Sequence, residues 1–257
     1  NHFSRVLEAI KQNVESHGYD VMFINPQKKM SYLQHCKSRS VEGVIIVCID
    51  FENPMAKELV DSYLPVVTID YDYGNKVSIM SDNYAGGRAI AECAVEMGHT
   101  NIGVIHGEVT DVTIKRLKGI EDVLRENNIP LPMNKKKACV FNDPNSTYFV
   151  TQELLKSPER PTCILFQDDY SYIGGYNAIV DAGLSIPEDI SVIGYDGINL
   201  SRIISPRLVT YNQDCAQIGK LAVEKIFEQI ANPSTPIYEI VEVAGYLLDG
   251  GSMRKIK

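Results

Sequence analysis

The chain has 257 residues, 44% hydrophobic and 23% charged, enough for one large domain or two medium ones with real cores. Its formal net charge of −8 disfavours nucleic-acid binding by this stretch itself, because phosphate contacts rest on Lys and Arg. No apolar run approaches the roughly 20 residues of a membrane span, and "NHFSRVLEAI" lacks the basic and apolar regions of a signal peptide.

In chain order, Val6, Leu7, Ile10 and Val14 form one stripe and predict a helix over Phe3–His17. Apolar, β-branched runs follow at "YDVMFIN" (Tyr19–Asn25), "GVIIVCID" (Gly43–Asp50) and "PVVTIDY" (Pro65–Tyr71). A helix is predicted over Tyr84–Met97, stopped by Gly98, then a strand in "NIGVIHG" (Asn101–Gly107) and a helix over Ile114–Asn127. A weaker strand near 136–143 precedes a helix over Thr147–Lys156. "TCILFQDD" (Thr162–Asp169), a helix over Tyr172–Ala182, "ISVIGYDG" (Ile190–Gly197) and a helix over Asp214–Ala231 complete the series. Near-continuous apolarity marks strands covered on both faces. The alternation predicts an α/β architecture with parallel sheets and right-handed crossovers. A strand is expected to precede the first helix, outside these residues.

Six cysteines (36, 48, 93, 139, 163 and 215) show no C-x-x-C spacing, so neither a zinc site nor a redox motif is predicted. Cys48, Cys139 and Cys163 fall in apolar runs and read as small buried hydrophobes. Unpatterned thiols suit a reducing compartment, and a cytoplasmic location is expected. Lys135-Lys136-Lys137 reads as the solvated start of a strand.

In open parallel sheets, ligands bind beyond the carboxyl ends of the strands. Here those ends are Asn25, Asp50, Asp70, His106, Asp168-Asp169 and Asp196, flanked by Phe51, Tyr71, Tyr170 and Tyr195. For Asp50 and Asp70 a helix-capping role is the competing reading. Asp196 is followed by the loop-like "GINLSRIISPRL", with no good helix to cap. His106 reads as structural, with no nucleophile near it. Carboxylates accept strong hydrogen bonds from vicinal hydroxyls, and aromatic rings pack on the C–H face of a pyranose. This set suits a neutral sugar or polyol. A phosphorylated ligand would want a glycine-rich loop and basic residues, and "YAGGRAI" (Tyr84–Ile90) is neither G-x-G-x-x-G nor a P-loop.

Ordered motifs carry a resemblance along almost the whole chain: "NHF" (Asn1–Phe3), "SDNYAGGRAIAECAVEMGHTNIGVIHG", "RLKG" (Arg116–Gly119), "FQDDYSYIGGYNAIVDAGLSIPEDISVIGYDG" and "SPRLVTYNQD" (Ser205–Asp214). In this order and spacing the chain resembles the effector-binding core of the LacI/GalR family of bacterial transcription regulators. The resemblance implies a type I periplasmic-binding-protein-like fold: two parallel-sheet α/β lobes facing each other across a ligand cleft and joined by three crossovers. The N-terminal lobe is expected at 1–81 plus 200–232 and the C-terminal lobe at 82–199 plus 233–257. The crossovers are expected near Ser81-Asp82, Asp196–Ser201 and Ala231–Pro236.

Three family ligand contacts carry over. Arg116 corresponds to the arginine that grips ligand oxygens, Asp168 stands where an asparagine is common, and Asp196 matches the hydroxyl-accepting aspartate. With the strand-end acids, the aromatics and the motif residues, the candidate ligand-binding set is Phe3, Asp50, Phe51, Asp70, Tyr71, Arg116, Asp168, Tyr170, Asp196 and Gln213. The chain departs from the family at Asp168, which loses two N–H donors, and at Gly197, where a second acid is frequent. The expected partners are a small-molecule effector, a second copy of the chain, and operator DNA reached only through a helix-turn-helix headpiece not contained in these residues. No membrane partner, cofactor or metal is expected. The rival readings are an extracytoplasmic sugar-binding protein that feeds a transporter and, with less support, an enzyme using Asp168-Asp169 to hold Mg²⁺.

Overall fold

The computed structural model describes residues 2–25, 30–233 and 237–256, so Asn1 of the entry motif and the end of the crossover expected at Ala231–Pro236 lie outside the described residues. In chain order the elements are α1 (His2–Ser16), α2 (Tyr32–Ser38), β1 (Val44–Ile46), α3 (Pro54–Val60), β2 (Val66–Ile69) and β3 (Val77–Ser81). They continue with α4 (Asn83–Glu96), β4 (Ile102–His106), α5 (Asp111–Glu126), β5 (Lys136–Ala138), α6 (Pro144–Lys156), β6 (Cys163–Leu165) and α7 (Tyr172–Asp181). Last come β7 (Ser191–Asp196), α8 (Leu200–Ile203), β8 (Val209–Asn212), α9 (Cys215–Ala231), β9 (Glu239–Val243) and β10 (Tyr246–Leu248).

The chain divides into two compact units, one of residues 3–81 with 214–243, the other of residues 82–213 with 244–256. The first boundary falls at Ser81/Asp82. The other two fall later than the sequence reading places them. β8 extends the sheet of the second unit by pairing with β7, and β9 pairs with β3 in the first, so strand pairing sets the boundaries at 213/214 and 243/244.

The 3–81 unit is built on a parallel sheet of order β1-β2-β3-β9. On one face Val6, Ile10 and Val14 of α1 and Ile218, Ala222, Val223 and Ile226 of α9 pack with Val67, Ile69, Val77 and Ile79. On the other, Tyr32, Leu33 and Cys36 of α2 and Leu59 and Val60 of α3 cover Ile46 and Val66. Burying each such aliphatic side chain stabilises the fold by roughly 1.5–3 kcal/mol. A capping box at Ser31 and Gln34 starts α2, and Asn53 with Pro54 starts α3. Tyr19–Asn25 is not a strand, contrary to the sequence reading. Among the described residues it finds no ladder partner, and Met22 and Phe23 are exposed.

The 82–213 unit carries a six-stranded sheet of order β10-β8-β7-β6-β4-β5, parallel except for β10. α4 and α5 cover one face through Ile90, Ala91, Ala94, Ile120, Val123 and Leu124. The other face carries Leu154 of α6 with Tyr172 and Ile179 of α7. α4 and α5 approach closely because of two glycines: a Cβ on Gly87 would lie 2.1 Å from the Arg116 carbonyl oxygen, and one on Gly119 would lie 2.3 Å from that of Tyr84. Lys135, Lys136 and Lys137 pair with Glu159, Glu121 and Glu153, so the basic run is neutralised by its own unit. None of the six cysteines forms a disulfide. Cys139 and Cys163 are buried as expected, whereas Cys48 is exposed, because β1 ends two residues earlier and the chain turns with φ +50° at Cys48.

Candidate functional site

All six residues of β7 are buried, and the strand ends on an acid. At Asp196 the chain enters the left-handed region, φ +102°, followed by Gly197 at +64°. A Cβ at position 197 would meet the Asn212 side chain at 2.5 Å, so glycine is needed for space as well as for φ. Asp196 is 7% exposed, and its Oδ1 accepts a 2.6 Å hydrogen bond from Nε2 of Gln213, itself buried. The acid that ends the strand and the glutamine that closes "SPRLVTYNQ" are thereby brought together.

Arg116 projects from α5 toward the end of β6. Its Nε donates to Asn83 Oδ1 at 2.8 Å and Nη1 to the Gln167 carbonyl oxygen at 3.2 Å. The guanidinium carbon lies over the Tyr195 ring, 3.6 Å from its centre. Ring and two acceptors fix the plane of the fork, and among the described contacts both N–H groups of Nη2 are left without an acceptor. Beneath it lies a cavity of about 20 Å³ lined by His106, Thr113, Arg116, Phe141, Gln167 and Tyr195, room for about one water. Gln167 is 5% exposed, and its Nε2 contacts Cys139 Sγ and Thr147 Oγ1 while Oε1 is buried without a partner in the described contacts. Burial pushes the Cys139 thiol up to about 11, so it stays protonated. His106 Nδ1 lies 2.8 Å from the neighbouring Gly107 carbonyl oxygen.

Asp168 is placed differently. It is 1% exposed; Oδ1 accepts from the Ser171 amide at 2.6 Å, and Oδ2 from the Ser171 hydroxyl at 2.7 Å and the Asn142 amide at 3.1 Å. Its carboxylate is occupied in fixing the corner between α6 and α7, a role an asparagine could fill only in part, because one of its two termini is a donor. Tyr170, two residues on, is 44% exposed.

In the other unit, the ends of β1 and β2 form an aromatic cluster. Phe51 stacks on Tyr71 with centroids 4.5 Å apart and planes 3° from parallel, and Tyr73 packs edge-on to both. The Tyr71 hydroxyl donates to Glu52, which also pairs with Lys57 at 2.5 Å. These two bonds, Lys57 first, hold the Glu52 carboxyl below its ordinary range. The Tyr73 hydroxyl donates to the Phe51 carbonyl oxygen at 2.6 Å, and burial with the nearby Glu52 charge pushes it up to about 12. Asp50 accepts from the Glu52 amide, and Asp70, at φ +61°, accepts from the Ser81 amide. Neither caps a helix: α3 starts on Asn53, and β3 follows Asp70. Phe3 lies half-buried on α1.

The structure therefore gathers Arg116, Asp196 and Gln213 in one unit, and Asp50, Phe51, Asp70 and Tyr71 in the other. Sequence reasoning missed Asn83 and Gln167, the two acceptors that orient Arg116. Asn83 sits behind the helix-capping Asp82, and Gln167 is overshadowed by two acids; neither has a motif of its own. Among the described residues no group of three or more His, Cys, Asp or Glu could hold a metal ion.

Residues 91–253 match the family model of the periplasmic binding protein-like domain. The chain is 30% identical over 267 aligned positions to the HTH-type transcriptional repressor PurR of Mannheimia succiniciproducens, covering 99% of this chain and 78% of that protein. Its fold is shared with a LacI family transcriptional regulator from Enterococcus faecium crystallised with bound ribose (TM-score 0.87, 24% identity, 100% and 95% of the two chains). It is shared equally with the transcriptional regulator CelR in complex with cellobiose (TM-score 0.85, 18% identity, 98% and 79%). The chain belongs to the LacI/PurR family of transcriptional regulators and carries its periplasmic-binding-protein-like effector-binding domain.

Proposed function

We propose that this domain senses a small neutral sugar or related polyol and passes that signal to a helix-turn-helix headpiece. The observation that carries the reading is the pre-set Arg116, whose fork is fixed by Tyr195, Asn83 and Gln167 with Nη2 still available. A fixed guanidinium and an acceptor such as Asp196 match the paired donor and acceptor character of vicinal hydroxyls. Asp50, Phe51, Asp70 and Tyr71 offer the same acid-and-ring chemistry at the ends of β1 and β2. The ribose and cellobiose held by two fold neighbours support a sugar over other effectors.

Control of an operator requires that the effector bind two conformations of the domain unequally, since a ligand shifts an equilibrium only by its differential affinity. Operators with two half-sites are read by dimers, and a homodimer working in the cytoplasm is part of the proposal. The relatives are repressors, which favours regulation over catalysis.

The test is thermal unfolding against pentoses, hexoses, disaccharides, sugar phosphates and nucleobases. An effector that binds only the folded state, at about a hundred times its dissociation constant, adds roughly 2.7 kcal/mol of stability. A shift with one neutral sugar that is lost in Asp196→Ala supports the reading. A shift only with a nucleobase or a sugar phosphate overturns it.

A further inference from the structure

Asp196 adopts φ +102°, a conformation that costs a non-glycine residue of order 1–3 kcal/mol and persists only where the surroundings enforce it. Besides the pairing of Asp196 with Asn212 and the Gln213 bond, several contacts that bracket the kink converge on Asp169, a fully buried neighbour. The Asp169 amide donates to the Tyr195 carbonyl oxygen at 2.8 Å, just before the kink. Its Oδ2 accepts from the Ile198 amide at 2.9 Å, just after it. Its Oδ1 accepts from the Thr210 hydroxyl at 2.7 Å, and that same oxygen of Thr210 accepts the Gly197 amide at 3.3 Å. One residue thus binds the chain before and after Asp196-Gly197 and, through Thr210, inside it. Position 194 makes room for it, because a Cβ there would lie 2.2 Å from Asp169 Oδ1.

We infer that Asp169 is a positioning residue of the effector site: it holds the Asp196-Gly197 backbone in the conformation that presents the Asp196 carboxylate. This rests on the reading of Asp196 as an effector contact. An asparagine at 169 can keep its Oδ1 on the Ile198 amide and turn its Nδ2 to Thr210 Oγ1, a hydroxyl oxygen that can accept as well as donate, so unlike Asp168 this acid has a close carboxamide replacement. Burial, and then the neighbouring Asp196 carboxylate, push the Asp169 carboxyl well above its ordinary range, in keeping with a neutral group there.

The test compares wild type, Asp169→Ala, Asp169→Asn and Thr210→Val in the full-length protein by amide hydrogen exchange. In Asp169→Ala the segment 195–201 is expected to exchange about tenfold or more faster, while β4 and α5 keep their protection; local opening of this kind is what exchange reads. Asp169→Asn restores protection to within about threefold, and Thr210→Val, which removes one link, falls between. Unchanged exchange in Asp169→Ala, an equal rise throughout the unit, or an Asn variant no better than Ala overturns the inference. This arm needs no effector and decides the inference alone. A second arm uses ribose as the probe on wild type and Asp196→Ala. Ribose affinity retained in Asp196→Ala overturns the effector-contact reading and leaves the positioning result standing.

Discussion

The guanidinium of Arg116 lies over the ring of Tyr195, the residue immediately before Asp196, so the candidate cation and the candidate acceptor share one support. Cation–π contacts contribute about 0.5–2 kcal/mol depending on desolvation, and here the ring is 1% exposed. Arg116→Lys keeps the charge but loses the planar fork and the stack. The expected outcome is a fall in effector affinity of about tenfold or more, one lost charged hydrogen bond's worth, with a smaller loss of stability. Tyr195→Leu is expected to weaken both properties, since it removes the support rather than the grip. Titration calorimetry alongside thermal unfolding separates the two effects.

Gly87 and Gly119 let α4 and α5 touch backbone to backbone, and the atom that a Cβ on Gly87 would strike is the carbonyl of Arg116 itself. Gly87→Ala therefore cannot be absorbed by a side-chain rotation and must push α5 outward. A loss of about 1–3 kcal/mol, the usual range for overpacking, is expected in urea unfolding. Effector affinity should fall with it, because Arg116 rides on the displaced helix. Gly183, with φ +71° and open space around its Cα, makes a comparison site: alanine there meets only backbone strain, so stability falls without a change in affinity.

At Asp196 the backbone and the carboxylate can be tested apart. Asp196→Gly removes the acid and relieves the positive φ, whereas Asp196→Ala removes the acid and keeps the strain. The glycine variant is expected to be the more stable of the two by about 1 kcal/mol. Both should lose effector binding to the same extent, since both lack the acceptor for which Gln213 and the strand end are arranged. Equal stability in the two variants would show that the left-handed geometry is not under strain.

Much of this was legible from residue type and period. Runs such as 162–169 and 190–197 are buried on both faces and read as near-continuous apolarity, and the arginine and glycine of "RLKG" have their physical reasons in the fork and the helix crossing. β3 escaped notice because "VSIMS" places two serines in a fully buried strand; Ser78 and Thr68 satisfy each other across the ladder at 2.9 Å. The capping box of α2 stands in plain view as Ser31-Tyr-Leu-Gln34, but a seven-residue helix gives the hydrophobic period too little length to register. Asp168 shows the opposite limit. Strand-end placement and the family resemblance both give it a ligand role, and neither shows which donors already surround the acid, since these depend on tertiary neighbours such as Asn142, 26 residues away.

His99 gives the domain a predictable response to acid. It is 2% exposed; Nε2 bonds the Arg254 carbonyl oxygen at 3.2 Å, and Nδ1 meets the Thr162 hydroxyl at 2.9 Å. Desolvation, partly offset by the Arg254 carbonyl, lowers its pKa below the ordinary 6.5. The unfolded chain therefore binds a proton at higher pH than the folded one does. Stability from this group is fully present above about pH 6.5 and is lost as pH falls through the folded value, with a slope of at most about 1.4 kcal/mol per pH unit for one proton. His99→Gln removes the titration. Between pH 7.5 and 5.5, the wild type should lose stability relative to this variant, a difference that cancels the other histidines. The Arg254 amide bonds Ser191 Oγ and the Ile256 amide bonds the Met97 carbonyl oxygen, so the tail stays tied on either side of the Arg254 carbonyl, and the cost of protonating His99 lies in burying its charge.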